Sequence, residues 1–181
     1  NLLSETDEGI QILYSMAKQF RKKRLSSGAI HIQLPEINVN YQWGGEIEIQ
    51  VMDRESPGRM LVEEMMIMAN WLMARFLIDN EMPAIFRSQP SPKNRLLKDT
   101  GGTLFQNYMQ RKHLSRVVID TKPEPHSGLG LSAYTTSTSP IRKYFDLVVQ
   151  RQIRAVLGLE APYTEEEIRN IIQAVGKSLK D

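Results

Sequence analysis

Thr138-Ser139-Pro140-Ile141-Arg142-Lys143-Tyr144 reads as the start of a helix. Ser139 is a natural N-cap, because its hydroxyl can accept from a backbone N–H that the first turn leaves free, and Pro140 suits the first helical position, where a missing N–H costs nothing. The helix then continues through Phe145, Val148, Val149 and Ile153 at helical spacing and stops at Gly158, a residue suited to the left-handed conformation of a C-terminal cap. This reading puts Arg142 and Lys143 in the first turn, where the helix end is already partly positive. Cations are unfavourable there unless an anion compensates, and a phosphate oxygen would do so. The alternative is an ordinary i,i+4 pair between Arg142 and Asp146, worth about a few tenths of a kcal/mol. The residues leave the two readings even.

Working outward, Pro123, Pro125, Gly128 and Gly130 mark irregular backbone ahead of that helix. Beyond it, Thr164-Glu165-Glu166-Glu167 is a capping box for a last helix reaching about residue 179. At the other end, Ser4 or Thr6 can cap a helix with apolar positions at Ile10, Leu13, Met16, Ala17 and Phe20, closing near Leu25 with Gly28 beyond. Residues 30–34, 37–41 and 46–52 alternate apolar and polar and predict short strands, the last two joined as a hairpin at Gly44-Gly45. Residues 58–80 are so continuously apolar that a buried helix is expected. Glu63, Glu64, Asn70 and Arg75 interrupt that stretch and argue against a membrane span. A short strand at 83–86, a loop at 89–93, a helix at 103–113 and a strand at 117–119 complete the chain.

With 181 residues, 41% hydrophobic and 24% charged, the composition is that of one ordinary domain. The absence of cysteine excludes disulfides, thiolate metal sites and a cysteine nucleophile. His31, His113 and His126 are too scattered for a helical zinc signature. A net charge of +2 advertises no nucleic-acid partner by itself. The distribution is more telling: Arg87, Lys93, Arg95, Lys98, Arg111, Lys112 and Arg116 face only Asp99 in their stretch, and Arg21-Lys22-Lys23-Arg24 forms a second basic run. Each cluster taken alone fits a solvated face better than a binding site. In the apolar helix, Glu63 and Asn70 share a face; there or at Glu64 a carboxylate could read a hydroxyl or base edge, but a solvent-facing stripe is the preferred reading. Two-metal phosphodiester chemistry needs converging carboxylates, and Asp53, Asp79 and Asp120 are isolated in the chain.

Pro125-His126-Ser127-Gly128-Leu129-Gly130-Leu131-Ser132-Ala133-Tyr134, continuing through Thr138-Ser139-Pro140-Ile141-Arg142-Lys143-Tyr144-Phe145-Asp146, resembles the signature of the ribonuclease II and ribonuclease R exoribonucleases, the RNB catalytic domain. Other segments agree in order: Ser27-Gly28-Ala29-Ile30, Leu34-Pro35-Glu36, Val62-Glu63-Glu64-Met65-Met66 with Ala69-Asn70, and Pro83-Ala84-Ile85-Phe86-Arg87. The resemblance implies an α+β fold, with short mixed or antiparallel strands packed against long helices. It implies hydrolysis of single-stranded RNA from the 3′ end to nucleoside 5′-monophosphates, with Mg2+ held by aspartates upstream of this chain. Arg142 then matches the arginine at the scissile phosphate, Lys143 a phosphate contact beside it, and Glu64 a carboxylate near the terminal nucleotide. Thr138, Ser139, Tyr134 and Arg87 are the further substrate-binding residues it suggests. On this reading residues 1–181, which open in mid-topic at Asn1, are the C-terminal portion of the catalytic domain. The expectation is a monomeric, cytoplasmic, RNA-binding enzyme with no membrane partner; the rival is a non-catalytic RNA-binding scaffold of the same fold.

Overall fold

The computed structural model describes residues 8–41, 44–45, 47–52, 55–97 and 101–178. The cap candidates Ser4 and Thr6, together with Asp53, Lys98, Asp99 and Leu179, lie outside them. Helix α1 (Glu8–Ser26) ends as its sequence dictates: Lys23 and Arg24 occupy the last turn, and Gly28 takes a φ of +91° just beyond. Only its C-terminal half is covered. Ala17 and Phe20 are buried, while Ile10, Leu13 and Met16 of the same stripe remain exposed.

The strand expected at 30–34 does not form. Its backbone finds other partners, Ile30 N–H donating to the Gly128 carbonyl at 3.0 Å and Gln33 N–H to Asn107 Oδ1 at 2.7 Å. Strands β1 (Glu36–Tyr41) and β2 (Ile47–Met52) form the expected antiparallel hairpin, with Glu36 opposite Met52 and Tyr41 opposite Ile47. Because side chains alternate, Ile37, Val39 and Tyr41 share one face with Ile47, Ile49 and Val51, and all six are exposed.

Helix α2 (Pro57–Asp79) starts with proline at its N-terminus, as residue type favours. Contrary to expectation it is not buried all round. Its buried stripe is Met60, Glu64, Ile67, Asn70, Ala74 and Leu77, whereas Val62, Met66, Leu72 and Phe76 face solvent. Among the described residues no helix is long and apolar enough to cross a membrane.

Strand β3 (Phe86–Ser88), displaced a little from the expected 83–86, pairs antiparallel with β4 (Val118–Asp120), Phe86 lying opposite Asp120. Helix α3 (Leu104–His113) is closed by Thr103 and Gln106, each accepting from the other's backbone N–H. Helices α4 (Tyr144–Val156) and α5 (Glu165–Ser178) follow, and Thr164 with Glu167 forms the predicted reciprocal cap. The larger core joins Ala74 and Leu77 of α2, Ala84, Ile85 and Phe86, Ala133, Val148 and Val149 of α4, and Ile168 of α5. A smaller cluster joins Phe20, Ile67, Leu131 and Tyr134. Residues 131–134 thus bridge both cores and hold the segment that follows against α2 and α4. The architecture is α+β, with short antiparallel strands beside long helices.

Candidate nucleic-acid interface

From Tyr134 to Ser137 the chain stays buried or half-buried before surfacing at Thr138, and buried side chains fasten almost every step. The Tyr134 carbonyl accepts the Arg87 backbone N–H at 2.8 Å, and its hydroxyl accepts from Asn70 Nδ2 at 3.2 Å. Burial raises the Tyr134 pKa, so the phenol stays protonated. Thr135 donates its hydroxyl to the Ile85 carbonyl at 2.6 Å. Asn70 Oδ1 accepts both the backbone N–H and the hydroxyl of Ser137, at 2.9 and 3.1 Å, and Gln150 donates to the Ser137 carbonyl at 2.7 Å. Asp146, only 1% exposed, accepts the Thr136 hydroxyl at 2.7 Å and the Ser139 N–H at 3.0 Å. Its charge lies in the first turn of α4, where the helix end favours an anion.

These bonds overturn the predicted helix start. Residues 139–143 make a separate turn, with the N–H groups of Arg142 and Lys143 donating to the Ser139 carbonyl at 3.3 and 3.0 Å. Lys143 is extended, at φ −127° and ψ 109°, and serves as the N-cap of α4, which begins at Tyr144. Ser139 is therefore not the cap and Pro140 not the first helical residue. The cause is Asp146: by drawing in the Ser139 N–H it folds the turn back onto the helix end. The alternative Arg142 to Asp146 pair does not form either: Asp146 is buried and turned toward Thr136 and Ser139, while the Arg142 side chain stays at the surface. Arg142 is exposed and, among the described residues, reaches only Ser139 Oγ, at 3.5 Å.

The fold brings Thr138, Ser139, Arg142 and Lys143 together on one turn, with Thr138, Arg142 and Lys143 exposed and Ser139 half-buried. Tyr134 stands at its buried root and Arg87, half-buried, is bonded there through its backbone. Glu64 is elsewhere in character. It is 1% exposed and both carboxylate oxygens accept from the Arg24 guanidinium, Nε at 3.0 Å, while Arg24 also donates to the Leu129 carbonyl at 3.0 Å. The expected solvent-facing stripe on α2 holds for Glu63 and fails for Glu64 and Asn70. Sequence reasoning missed the anchoring roles of Asn70, Arg24 and Asp146. Glu64 and Asn70 do fall at three- and four-residue spacing with Met60, Ile67, Ala74 and Leu77, and that spacing was the available signal.

The basic stretch is also used differently from its sequence reading. Arg95 donates to the carbonyls of Leu97, Gly28 and Ala29 at 2.9–3.0 Å, tying the residues just after α1 to the segment around residues 95–97. Lys112 lies 4.8 Å from the centre of the Tyr108 ring. Among the described residues no three histidine, aspartate or glutamate side chains converge as a metal site. Asp120 instead accepts from the Thr121 N–H at 2.6 Å. The described residues therefore do not fit a Mg2+ centre.

The chain matches the RNB domain family over residues 3–158. It is 33% identical over 177 residues to an uncharacterized ribonuclease of Synechocystis sp., covering 95% of this chain and 26% of that protein. Against exoribonuclease 2 of Actinobacillus pleuropneumoniae it is 32% identical over 167 residues, covering 69% of this chain and 25% of the relative. It spans about a quarter of the length of these two curated relatives. In fold it is similar to Mycoplasma genitalium RNase R, solved in complex with ribose methylated single-stranded RNA, at a TM-score of 0.72 and 18% identity over 91% of this chain and 31% of that one. It is also similar to yeast Ssd1, a pseudonuclease, at a TM-score of 0.57 and 18% identity over 90% of this chain and 25% of that one. With the family match running from α1 past the end of α4, and the exposed turn at residues 138–143 inside it, the chain belongs to the RNB-domain family of ribonucleases.

Proposed function

We propose that residues 1–181 are the C-terminal portion of an RNB catalytic domain whose complete protein degrades single-stranded RNA from the 3′ end to nucleoside 5′-monophosphates. In this reading the turn at 139–143 presents Arg142 to the scissile phosphate. The observation that carries it is the setting of Arg142: an exposed guanidinium with no carboxylate partner among the described residues, on a turn anchored through Ser137 to Asn70 and through Ser139 to Asp146. A planar, two-pronged donor suits phosphate oxygens, and one carried on an anchored turn is best used on charge that develops during attack. Lys143 adds a second cation and Thr138 and Ser139 add hydroxyls; Tyr134 and Arg87 hold the root of the turn. With both oxygens on Arg24, Glu64 acts here as a positioning group between α1 and α2.

RNB exoribonucleases are generally dependent on divalent metals; in this reading the ligands belong to the part of the domain beyond this chain. The exposed apolar face of the β1–β2 hairpin and the uncovered half of α1 support a larger domain, as does the quarter-length match to the relatives.

Arg142→Ala in the complete protein is expected to slow single-turnover hydrolysis of end-labelled single-stranded RNA by about 10² to 10³. RNA affinity and melting temperature should hardly change, because binding is spread over many phosphates. Arg142→Lys should recover little, since an ammonium keeps the charge without the fork. A normal rate with Arg142→Ala removes the assignment. The likeness to Ssd1 favours a second reading, in which the same turn binds phosphate without hydrolysis; the complete protein would then retain RNA and release no mononucleotide.

A further inference from the structure

A cleft of about 560 Å³ lies between the end of α1, the middle of α2 and the 125–132 segment, away from the 139–143 turn in its lining. Its aromatic wall is Phe20 and Trp71, with ring centres 5.7 Å apart. Two cations flank Trp71: Lys23 Nζ at 5.9 Å and the Arg75 guanidinium at 6.0 Å from the ring centre. Both are exposed, and among the described residues neither has a carboxylate within 4.0 Å. Arg24 shares the wall but is committed to Glu64. Exposed Ser27 and Ser132 add hydroxyls.

The lining contains no carboxylate. That separates it from the adjoining cleft around His31, where Glu55, Glu63 and Glu64 take part in the wall. At about 6 Å from the ring the two cations are held loosely, at the outer limit of a cation–π contact, and remain available to an anion. A ligand matching this wall needs a flat apolar ring system joined to a phosphate, which is the chemistry of a nucleotide. The volume lies within the roughly 300–1,000 Å³ typical of small-molecule clefts. Aromatic rings beside cations are also how sequence-tolerant single-strand binding is built.

We infer that this cleft is a second nucleotide-binding site, taking one base against Phe20 and Trp71 and its phosphate between Lys23 and Arg75. The inference rests on the reading that the protein handles RNA. The nucleotide can come from a strand lying outside the 139–143 turn or from a free nucleoside monophosphate, and the two sources are separable.

The chain holds two tryptophans, so Trp43→Phe leaves Trp71 as the sole indole reporter. The full chain is titrated with adenosine 5′-monophosphate and, separately, with a ten-nucleotide oligoadenylate, following Trp71 emission. Saturable quenching is expected. Quenching by the monophosphate identifies a free-nucleotide site; quenching by the oligonucleotide alone identifies a strand site. Lys23→Ala with Arg75→Ala, both on exposed positions, should weaken the quenching ligand about tenfold. For the oligonucleotide it should also reduce the salt slope by about 0.7, the share of one phosphate. No quenching by either probe overturns the proposal, as does quenching that the double variant leaves unchanged. Arg142→Ala must leave the quenching intact, and its loss in that variant would also overturn an independent site. Because the readout requires no hydrolysis, a normal rate with Arg142→Ala would refute the catalytic assignment and leave this test standing.

Discussion

His126 is a half-buried imidazole whose Nδ1 is enclosed without a hydrogen-bond partner among the described residues, and its ring meets Tyr134 edge-on at 5.5 Å. Burial first, and then the nearby Arg87 charge, lower its pKa from 6.5 to about 4. Between those values the unfolded chain takes up a proton that the folded chain refuses. Stability from this group is therefore complete above about pH 6.5 and is lost as the pH falls through about 4. Denaturant midpoints measured at pH 7 and pH 5 should fall on acidification, and His126→Gln should show a smaller fall between the same two points. Equal falls in the two proteins would deny His126 this role. Any activity at the turn that Tyr134 anchors should share the sensitivity.

At the scale of elements, the close approach of the 127–130 turn to the end of α1 holds the Arg24 to Glu64 pair in place. Gly130 sits at φ +66°, and a Cβ there would lie 2.4 Å from the Arg24 carbonyl oxygen and 2.8 Å from the Ala29 nitrogen. Alanine would carry both a left-handed backbone and a collision with backbone atoms that have no flexible end to move. Gly158, at φ +72° after α4, has nothing within 4 Å of such a Cβ. Gly130→Ala should cost about 3 kcal/mol or more, combining backbone strain with overpacking, and Gly158→Ala only about 1 kcal/mol, the strain of a left-handed alanine. For a chain of 181 residues each kcal/mol moves the melting temperature by about 2–4 °C, so calorimetry on the two variants separates collision from conformational strain. Similar losses at both positions would show that the approach at Gly130 carries no special weight.

Over the whole molecule, the near-neutral charge conceals two kinds of basic residue. Arg95 is structural, its guanidinium spent on three backbone carbonyls. Lys93 is exposed and is the better candidate for the RNA path. Arg95→Ala should therefore lower the melting temperature by several degrees, at about 1 kcal/mol per lost bond, with little change in the salt dependence of RNA affinity. Lys93→Ala should do the reverse, reducing the slope by about 0.7 and sparing the melting temperature. Paired melting and salt-titration measurements check this, and an unchanged slope would return Lys93 to the solvated surface.

The sequence by itself determined what depends on neighbours along the chain. The Thr164 cap, the stop at Gly158 and the hairpin alternation lie within a few residues of the backbone groups they satisfy, so they were legible, as was the linear order of the RNB signature. The adjacency of Arg142 and Lys143 was legible for the same reason. Tertiary structure decided the rest. Helix α2 is apolar on most sides, so its periodicity offers little contrast, and packing against α1 and α4 selected the stripe that buries Glu64 and Asn70. The partner of Glu64 is Arg24, 40 residues away. The start of α4 was displaced to Tyr144 because Asp146 reaches back to Thr136 and Ser139, a competition for backbone and hydroxyl donors that residue preferences at Ser139 and Pro140 do not contain.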